Sequence, residues 1–175
     1  MAERKYPEWM GKMRGLTPEE IKTFLAGPVV ARVATIDGDG LPYITPVWQE
    51  WDGTAMWIVP RERSAWVRHI QHEPHVAISC ALDNSPYTRV LMRGVAEIVS
   101  GPEPMQGHCL EVANRMAVRY LGEHGPEYLV PTYDRPRYLI RFTPTQIVSW
   151  EGVEWAERYL KPAGETGDDH LTVQP

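Results

Sequence analysis

Val29-Val30-Ala31-Arg32-Val33-Ala34-Thr35-Ile36 runs directly into Asp37-Gly38-Asp39-Gly40, and the reading of the fold turns on this stretch. The first eight residues are rich in β-branched side chains, and from Val29 to Val99 the apolar period is two, the repeat of a pleated strand. The Asp-Gly pairs supply the backbone freedom that a tight hairpin needs. Leu41 to Trp51 then reads as the returning strand, with Pro46 inside it. Proline cannot donate to a ladder, so this strand must lie at an edge, carry a bulge or sit where the ladder opens. Asp52-Gly53 makes the next turn, and Thr54 to Pro60 is the third strand.

Upstream, Thr17-Pro18-Glu19-Glu20 combines an N-cap, a proline at the first helical position and a glutamate at the third, which is a capping box. Ile21, Phe24 and Leu25 form the apolar stripe of this short helix, and Gly27-Pro28 stops it. Downstream, Ser64 is placed to cap a helix that ends at Glu73-Pro74. His75 to Leu82 and Tyr87 to Val99 are strands, and Gly94 in mid-strand suggests a sharp bend of the kind small barrels use at corners. Met105 to Leu121 is helical, with Met105, Cys109, Val112, Met116 and Tyr120 on one face. Gly125 to Arg135 is Pro-rich and reads as a short helix or loop, and Arg137 to Trp150 is the last strand.

The order is helix, three strands, helix, two strands, helix, strand. It describes a mainly β fold with helical insertions, an antiparallel barrel of six or so strands rather than an alternating βα fold. One domain is expected over residues 17–150, with an arm before it (1–16) and an extension after it (151–175). The extension is polar and acidic beyond Lys161 and is expected to be partly disordered.

Composition narrows the function. The chain has 175 residues, 43% hydrophobic and 23% charged, ordinary for one globular domain. No apolar run approaches the ~20 residues of a membrane helix, and Met1 to Pro7 is not followed by a signal-peptide core. Cys80 and Cys109 make a poor disulfide framework, so a reducing, cytoplasmic setting is expected, with both thiols unpaired. A net charge of −5 disfavours nucleic acid as a general partner. Fourteen arginines stand against four lysines, with no lysine between Lys22 and Lys161. An anion site in the body of the chain must therefore use arginine, backbone amides or hydroxyls.

The strongest constellation is Arg61, Arg63 and Ser64, where the third strand meets the next helix. A helix N-terminus offers free amides and partial positive charge, and arginines beside it can bind phosphate bidentately. The plain alternative is a solvated charged turn. His69, His72 and His75 tempt a metal reading, but His75 lies beyond Pro74 on another element and no further ligand completes a set. Cys109 and His108 are sequence neighbours and point to different helix faces, which argues against a nucleophilic pair. No Walker sequence, dinucleotide glycine fingerprint or nucleophile elbow is present. Any redox or transfer chemistry would have to come from a cofactor. Seven tryptophans, among them Trp48, Trp51, Trp57, Trp66 and Trp150, suit core packing, but also a planar ligand or an interface.

Three segments together carry a resemblance. Ala31 to Asp37, then Pro42 to Trp48 and Trp57 to Arg68, resemble the opening of the flavin-binding split-barrel proteins of the pyridoxamine-phosphate-oxidase-like family. Arg89 to Val99, with Gly94 in mid-strand and a small residue two later, resembles a later strand of the same family. The resemblance implies a homodimer with two flavin sites at the subunit interface. It places the ring along the second strand, at Thr45, Val47 and Gln49, and the phosphate at Val59, Pro60, Arg61, Arg63 and Ser64. Arg89 would be the fifth-strand residue near the ring. Many members follow the serine with arginine and lysine; here Ala65 and Trp66 follow Ser64, so Trp66 occupies the lysine position and Arg61, Arg63 or Arg68 would substitute. The cofactor implied is FMN or a deazaflavin coenzyme. The implied activity is hydride transfer to or from a small organic substrate. A non-catalytic flavin, haem or tetrapyrrole carrier, or an empty barrel kept as an interaction module, remains open at this point.

Overall fold

The computed structural model describes residues 14–153; the remainder of the expected arm and C-terminal extension lies outside the described residues. The chain forms α1 (Pro18–Ala26), β1 (Ala31–Ile36), β2 (Pro42–Val47), β3 (Glu50–Trp51) and β4 (Met56–Ile58). Then come α2 (Ala65–His72), β5 (His75–Ala81), β6 (Arg89–Glu103), α3 (Gly107–Leu121) and β7 (Arg137–Trp150). Two 3-10 turns, Gly125–Tyr128 and Val130–Thr132, fill the segment between α3 and β7 that reads as a short helix or loop.

The seven strands form one antiparallel sheet in the order β2-β1-β5-β6-β7-β4-β3. The expected second strand, Leu41 to Trp51, is in fact two. Its first half pairs with β1 and its second half with β4, at opposite edges of the sheet. Trp48 and Gln49 are the only residues between them. Val47 and Glu50 are three residues apart, so the two edges lie within about 11 Å of each other. The sheet is thus rolled into a barrel whose seam is crossed by the chain itself and not by a hydrogen-bonded ladder. Pro46, opposite Arg32, sits on the edge strand β2, one of the places in a sheet where proline is tolerated.

β6 and β7 are the longest strands, 15 and 14 residues, and β6 runs past the expected end at Val99. Their register shifts between Arg93 and Gly94. A Cβ on Gly94 would overlap the Thr143 carbonyl oxygen and the Pro144 Cα. Glycine is required there because two backbones approach too closely for a side chain.

Two apolar clusters result. The barrel interior is filled by alternate residues such as Val33, Ile78, Met92, Ile140 and Phe142, and closed by Leu25 of α1 and Trp66, Val67 and Ile70 of α2. The second cluster lies under α3, where Met105, Cys109, Val112 and Met116 meet Leu129 and Leu139. Tyr120, read onto the same face, is partly buried against this cluster.

The capping box forms as read, Glu20 N–H donating to Thr17 Oγ1 and Thr17 N–H donating to Glu20 Oε2 at 2.8 Å. Arg14 adds a two-pronged contact to Glu20 and an ion pair to Glu151, all between 2.7 and 2.9 Å. The Arg14 hydrogen bond, followed by those from Thr17, pulls the Glu20 carboxyl down from 4.5 to about 2. A carboxylate lowered in the folded state stabilises above its unfolded pKa, and that stabilisation fades as pH falls toward the folded one. Acid melts should therefore show a component lost between pH 4.5 and about 2. Glu20→Gln should remove that component; an unchanged pH profile would show that Arg14 contributes nothing in solution.

Candidate functional site

The seam that splits β2 from β3 also opens a cleft. Its volume is about 310 Å³, and it lies where the two apolar clusters meet. Thr45, Val47 and Trp48 form one wall, and Ile58, Val59 and Pro60 from the end of β4 form the floor. Met105, Ala113, Met116 and Leu129 supply the opposite, apolar wall. Trp48 is held by parallel stacking on Tyr120 at 4.9 Å, and Tyr128 tilts toward it at 6.0 Å. Trp48 and Tyr128 both line the cleft, giving it an aromatic rim.

The other end is polar and basic. Ser64 is the N-cap of α2, yet its side chain makes no capping hydrogen bond. Val67 N–H already donates to the Ser64 carbonyl and Ser64 N–H to the Arg61 carbonyl, so the free donors at this end are the Ser64 hydroxyl and the first helical amides. Arg61 and Arg137 stand opposite each other through an antiparallel backbone bridge, flanked by Tyr138 N–H donating to the Pro60 carbonyl at 3.1 Å. Arg137 is half-buried; one Nη donates to Thr132 Oγ1 at 3.2 Å, while its buried Nε has no partner among the described residues. Burial first, and then the charges of Arg61 and Arg63, push its pKa below the usual guanidinium value.

Seven of the residues singled out in the sequence converge on this cleft: Thr45, Val47, Val59, Pro60, Arg61, Ser64 and Trp66. Four do not. Gln49 is fully buried, and its Nε2 donates to the Leu25 carbonyl at 2.8 Å, tying the end of α1 to the seam. Arg63 lines an adjoining trough, and exposed Arg68 lies farther along α2. Arg89 belongs to the outer face of the sheet, its guanidinium 5.5 Å from the rings of both Tyr87 and Trp150. Sequence reasoning missed Arg137, Tyr128, Met105 and Met116 as cleft residues, whose approach depends on which strands pair.

Other candidates dissolve into structure. His69 Nδ1 shares a 3.0 Å hydrogen bond with Thr35 Oγ1, and among the described residues no metal-ligand cluster forms. Cys80 and Cys109 are both free and buried, and burial pushes the Cys80 thiol up to about 12. Neither supplies a thiolate nucleophile. No helix is long and apolar enough to cross a membrane among the described residues. The cleft can hold a flat apolar ring against its walls and an anion at its basic end.

A split antiparallel barrel with such a cleft at its seam defines the class. The pyridoxamine 5'-phosphate oxidase family model matches residues 17–151, and the chain belongs to that family. A conserved hypothetical protein of Mycobacterium tuberculosis has the same fold, with TM-score 0.64 and 24% identity over 78% of this chain and 85% of that one. An F420 reductase is similar with TM-score 0.58 and 28% identity, covering 72% of this chain and 94% of that one. A haem-storage protein of Vibrio cholerae follows with TM-score 0.59 and 21% identity, covering 78% of this chain and 97% of that one. Among curated proteins none matches the chain.

Proposed function

We propose that this protein is a flavin- or deazaflavin-dependent oxidoreductase that works as a homodimer on a small organic substrate. The observation that carries the reading is the polarity of one cleft: apolar and aromatic along its walls, and cationic at the uncapped start of α2. A nucleotide with a planar ring and a phosphate has that same polarity. The residues present fit it on two further counts. Among the described residues, the Ser64 side chain makes no capping hydrogen bond and the buried Arg137 Nε has no partner.

In this reading Ser64, the first amides of α2, Arg61 and Arg137 hold the phosphate. Thr45, Val47 and Trp48 flank the ring, and Met105, Met116 and Leu129 keep water from one side of it. When bound, the ring supplies hydride acceptance and donation, chemistry that the side chains lining the cleft do not offer. Trp66, standing where many relatives have lysine, leaves arginine as the side-chain cation at this end. The F420 reductase is a relative whose printed function agrees with a deazaflavin. The haem-storage relative points to the alternative of haem carriage. Among the described residues lining the cleft there is no imidazole or thiol, so an axial ligand for haem iron would have to come from Tyr128, Met105 or Met116.

A cleft of about 310 Å³ is small for a whole flavin nucleotide, so the remainder of the ring would meet a second copy of the chain. The outer face of β2, β1, β5, β6 and β7 supports this. It holds a depression of about 770 Å³ bordered by Ile44, Leu91, Val148 and Trp150. Ile44 is 66% exposed there, and apolar surface of this extent commonly marks an interface.

Arg61→Ala is the direct test. A charge-assisted hydrogen bond is worth about 1.5–3 kcal/mol, so FMN or deazaflavin affinity should fall roughly ten- to a hundredfold. Riboflavin, which lacks the phosphate, should bind the variant and the wild type alike. Equal FMN affinity for both proteins would remove the phosphate from this end of the cleft. Oxidation of a nicotinamide or a reduced deazaflavin by the loaded protein separates an oxidoreductase from a carrier.

A further inference from the structure

The basic end of the cleft does not stop at the phosphate position. A second trough of about 450 Å³ adjoins it, and the two share Arg61 and Arg137. Arg63, Arg135, Thr132 and Glu62 complete the polar lining of this trough. Its shape comes from two elements brought together by the β4–β7 pairing. Glu62 N–H donates to the Pro136 carbonyl at 3.1 Å, and the Arg61–Arg137 bridge extends the ladder by one step. Four guanidinium groups are thus gathered by backbone bonds, whatever their mutual repulsion.

The surroundings do little to neutralise them. The nearby carboxylates are Glu62, itself on the trough wall and exposed, Asp134, whose Oδ1 is 3.9 Å from Arg135 Nε with both side chains at least 75% exposed, and Glu103, opposite Arg137 in the β6–β7 register, whose Oε2 accepts from Gln106 Nε2 at 2.9 Å. Among the described residues Arg61, Arg63 and Arg137 form no ion pair with a carboxylate. Burial first, and the charges of Arg61 and Arg63 after it, hold the Arg137 guanidinium below its usual pKa. Like charges facing one another across a concave surface focus a positive potential, which an anion would relieve.

We infer that Arg61, Arg63, Arg135 and Arg137 form a second anion subsite, continuous with the phosphate end of the cleft, for a negative group carried beyond the cofactor's first phosphate. This rests on the function proposed above and narrows it. The cofactor would be one whose ribityl phosphate is substituted further, as a diphosphate or a diester, and leads to a further anionic group, unlike the simple monoester of FMN. Two kinds of molecule share that chemistry: a flavin with a second phosphate, and a deazaflavin with an acidic tail. Arg135 is assigned to the extension alone, because it lines the trough and not the cleft.

The test uses the full chain, wild type and Arg135→Ala and Arg135→Glu variants, titrated with FMN, FAD, the deazaflavin coenzyme F420 and inorganic pyrophosphate. Arg135 is exposed, so both variants should fold. Wild type should bind FAD or F420 at least tenfold more tightly than FMN, and the better of the two identifies the extension. Arg135→Ala should weaken that ligand fivefold or more, Arg135→Glu more strongly, and FMN less than twofold. Tightest binding of FMN by wild type, or an extended ligand indifferent to Arg135, overturns the second subsite while leaving the cofactor reading intact. Failure of every ring-bearing ligand is a failure of the cofactor reading, and the pyrophosphate arm then decides. Pyrophosphate binding that is lost in Arg135→Glu sustains the anion subsite, and its absence in wild type overturns it.

Discussion

Gly94→Ala is expected to lower the melting temperature by about 10 °C. The added Cβ would overlap the Thr143 carbonyl oxygen and the Pro144 Cα, both of them backbone atoms of the longest strand pair. Neither atom can swing aside as a flexible side chain would. Forcing atoms into a packed interior typically costs 1–3 kcal/mol, and more where backbone must move. At the upper end, and with about 2–4 °C lost per kcal/mol for a domain of this size, the shift follows. Gly38→Ala is the control, because a Cβ there meets nothing within 4 Å. A Gly94→Ala protein melting within 2 °C of wild type, measured alongside that control, would show that β6 and β7 do not cross as closely as described.

The second large effect concerns assembly. Ile44→Asp combined with Leu91→Asp should convert a dimer into a monomer at micromolar concentration, as read by sedimentation. Both side chains are on the outer face and 38% or more exposed in the single chain. Exposed substitutions normally change stability by no more than about 0.5 kcal/mol, so the fold of the single chain should survive. Buried at the centre of an interface, each could cost about 2 kcal/mol or more of association energy. Two such losses weaken dimerisation roughly a thousandfold if they add. Wild-type protein that sediments as a monomer would remove the proposed interface. So would a double variant that remains a dimer, and in either case the cofactor site would have to be complete within one chain.

Local chemistry was legible in the sequence wherever it is local in space. The Thr17-Glu20 box, the hairpin at Asp37 to Gly40 and the apolar face of α3 depend on neighbours a few residues away, and they form as read. Pro46 called for an edge, a bulge or an opening in the ladder, and it lies on an edge strand; Gly94 suggested a bend, and it lies at a register shift where two backbones approach too closely for a side chain. The break at Trp48 and Gln49 gave no such signal. Nothing in the residues from Leu41 to Trp51 says that the two halves serve opposite edges of one sheet. That is a consequence of closing the barrel.

The cleft divides the same way. Arg61 and Ser64 were visible because a helix start beside arginine is a local motif. Arg137, 76 positions after Arg61, joins them only through the pairing of β4 with β7. Gln49 was placed with Thr45 and Val47 by the family resemblance, which set the ring along one continuous second strand. The backbone turns at the seam instead, and a buried amide bonded to the Leu25 carbonyl does structural work there. A resemblance carried along one unbroken strand does not register such a turn.

The measurement that bears most directly on the central claim is a titration of the intact wild-type protein with FMN, the deazaflavin coenzyme and riboflavin, followed by fluorescence. At least one phosphate-bearing ligand should bind with one molecule per chain and at least tenfold more tightly than riboflavin, because Arg61, Arg137 and the start of α2 act on the phosphate alone. Riboflavin binding as tightly as FMN, with no deazaflavin binding, would contradict the account, as would failure of all three to bind.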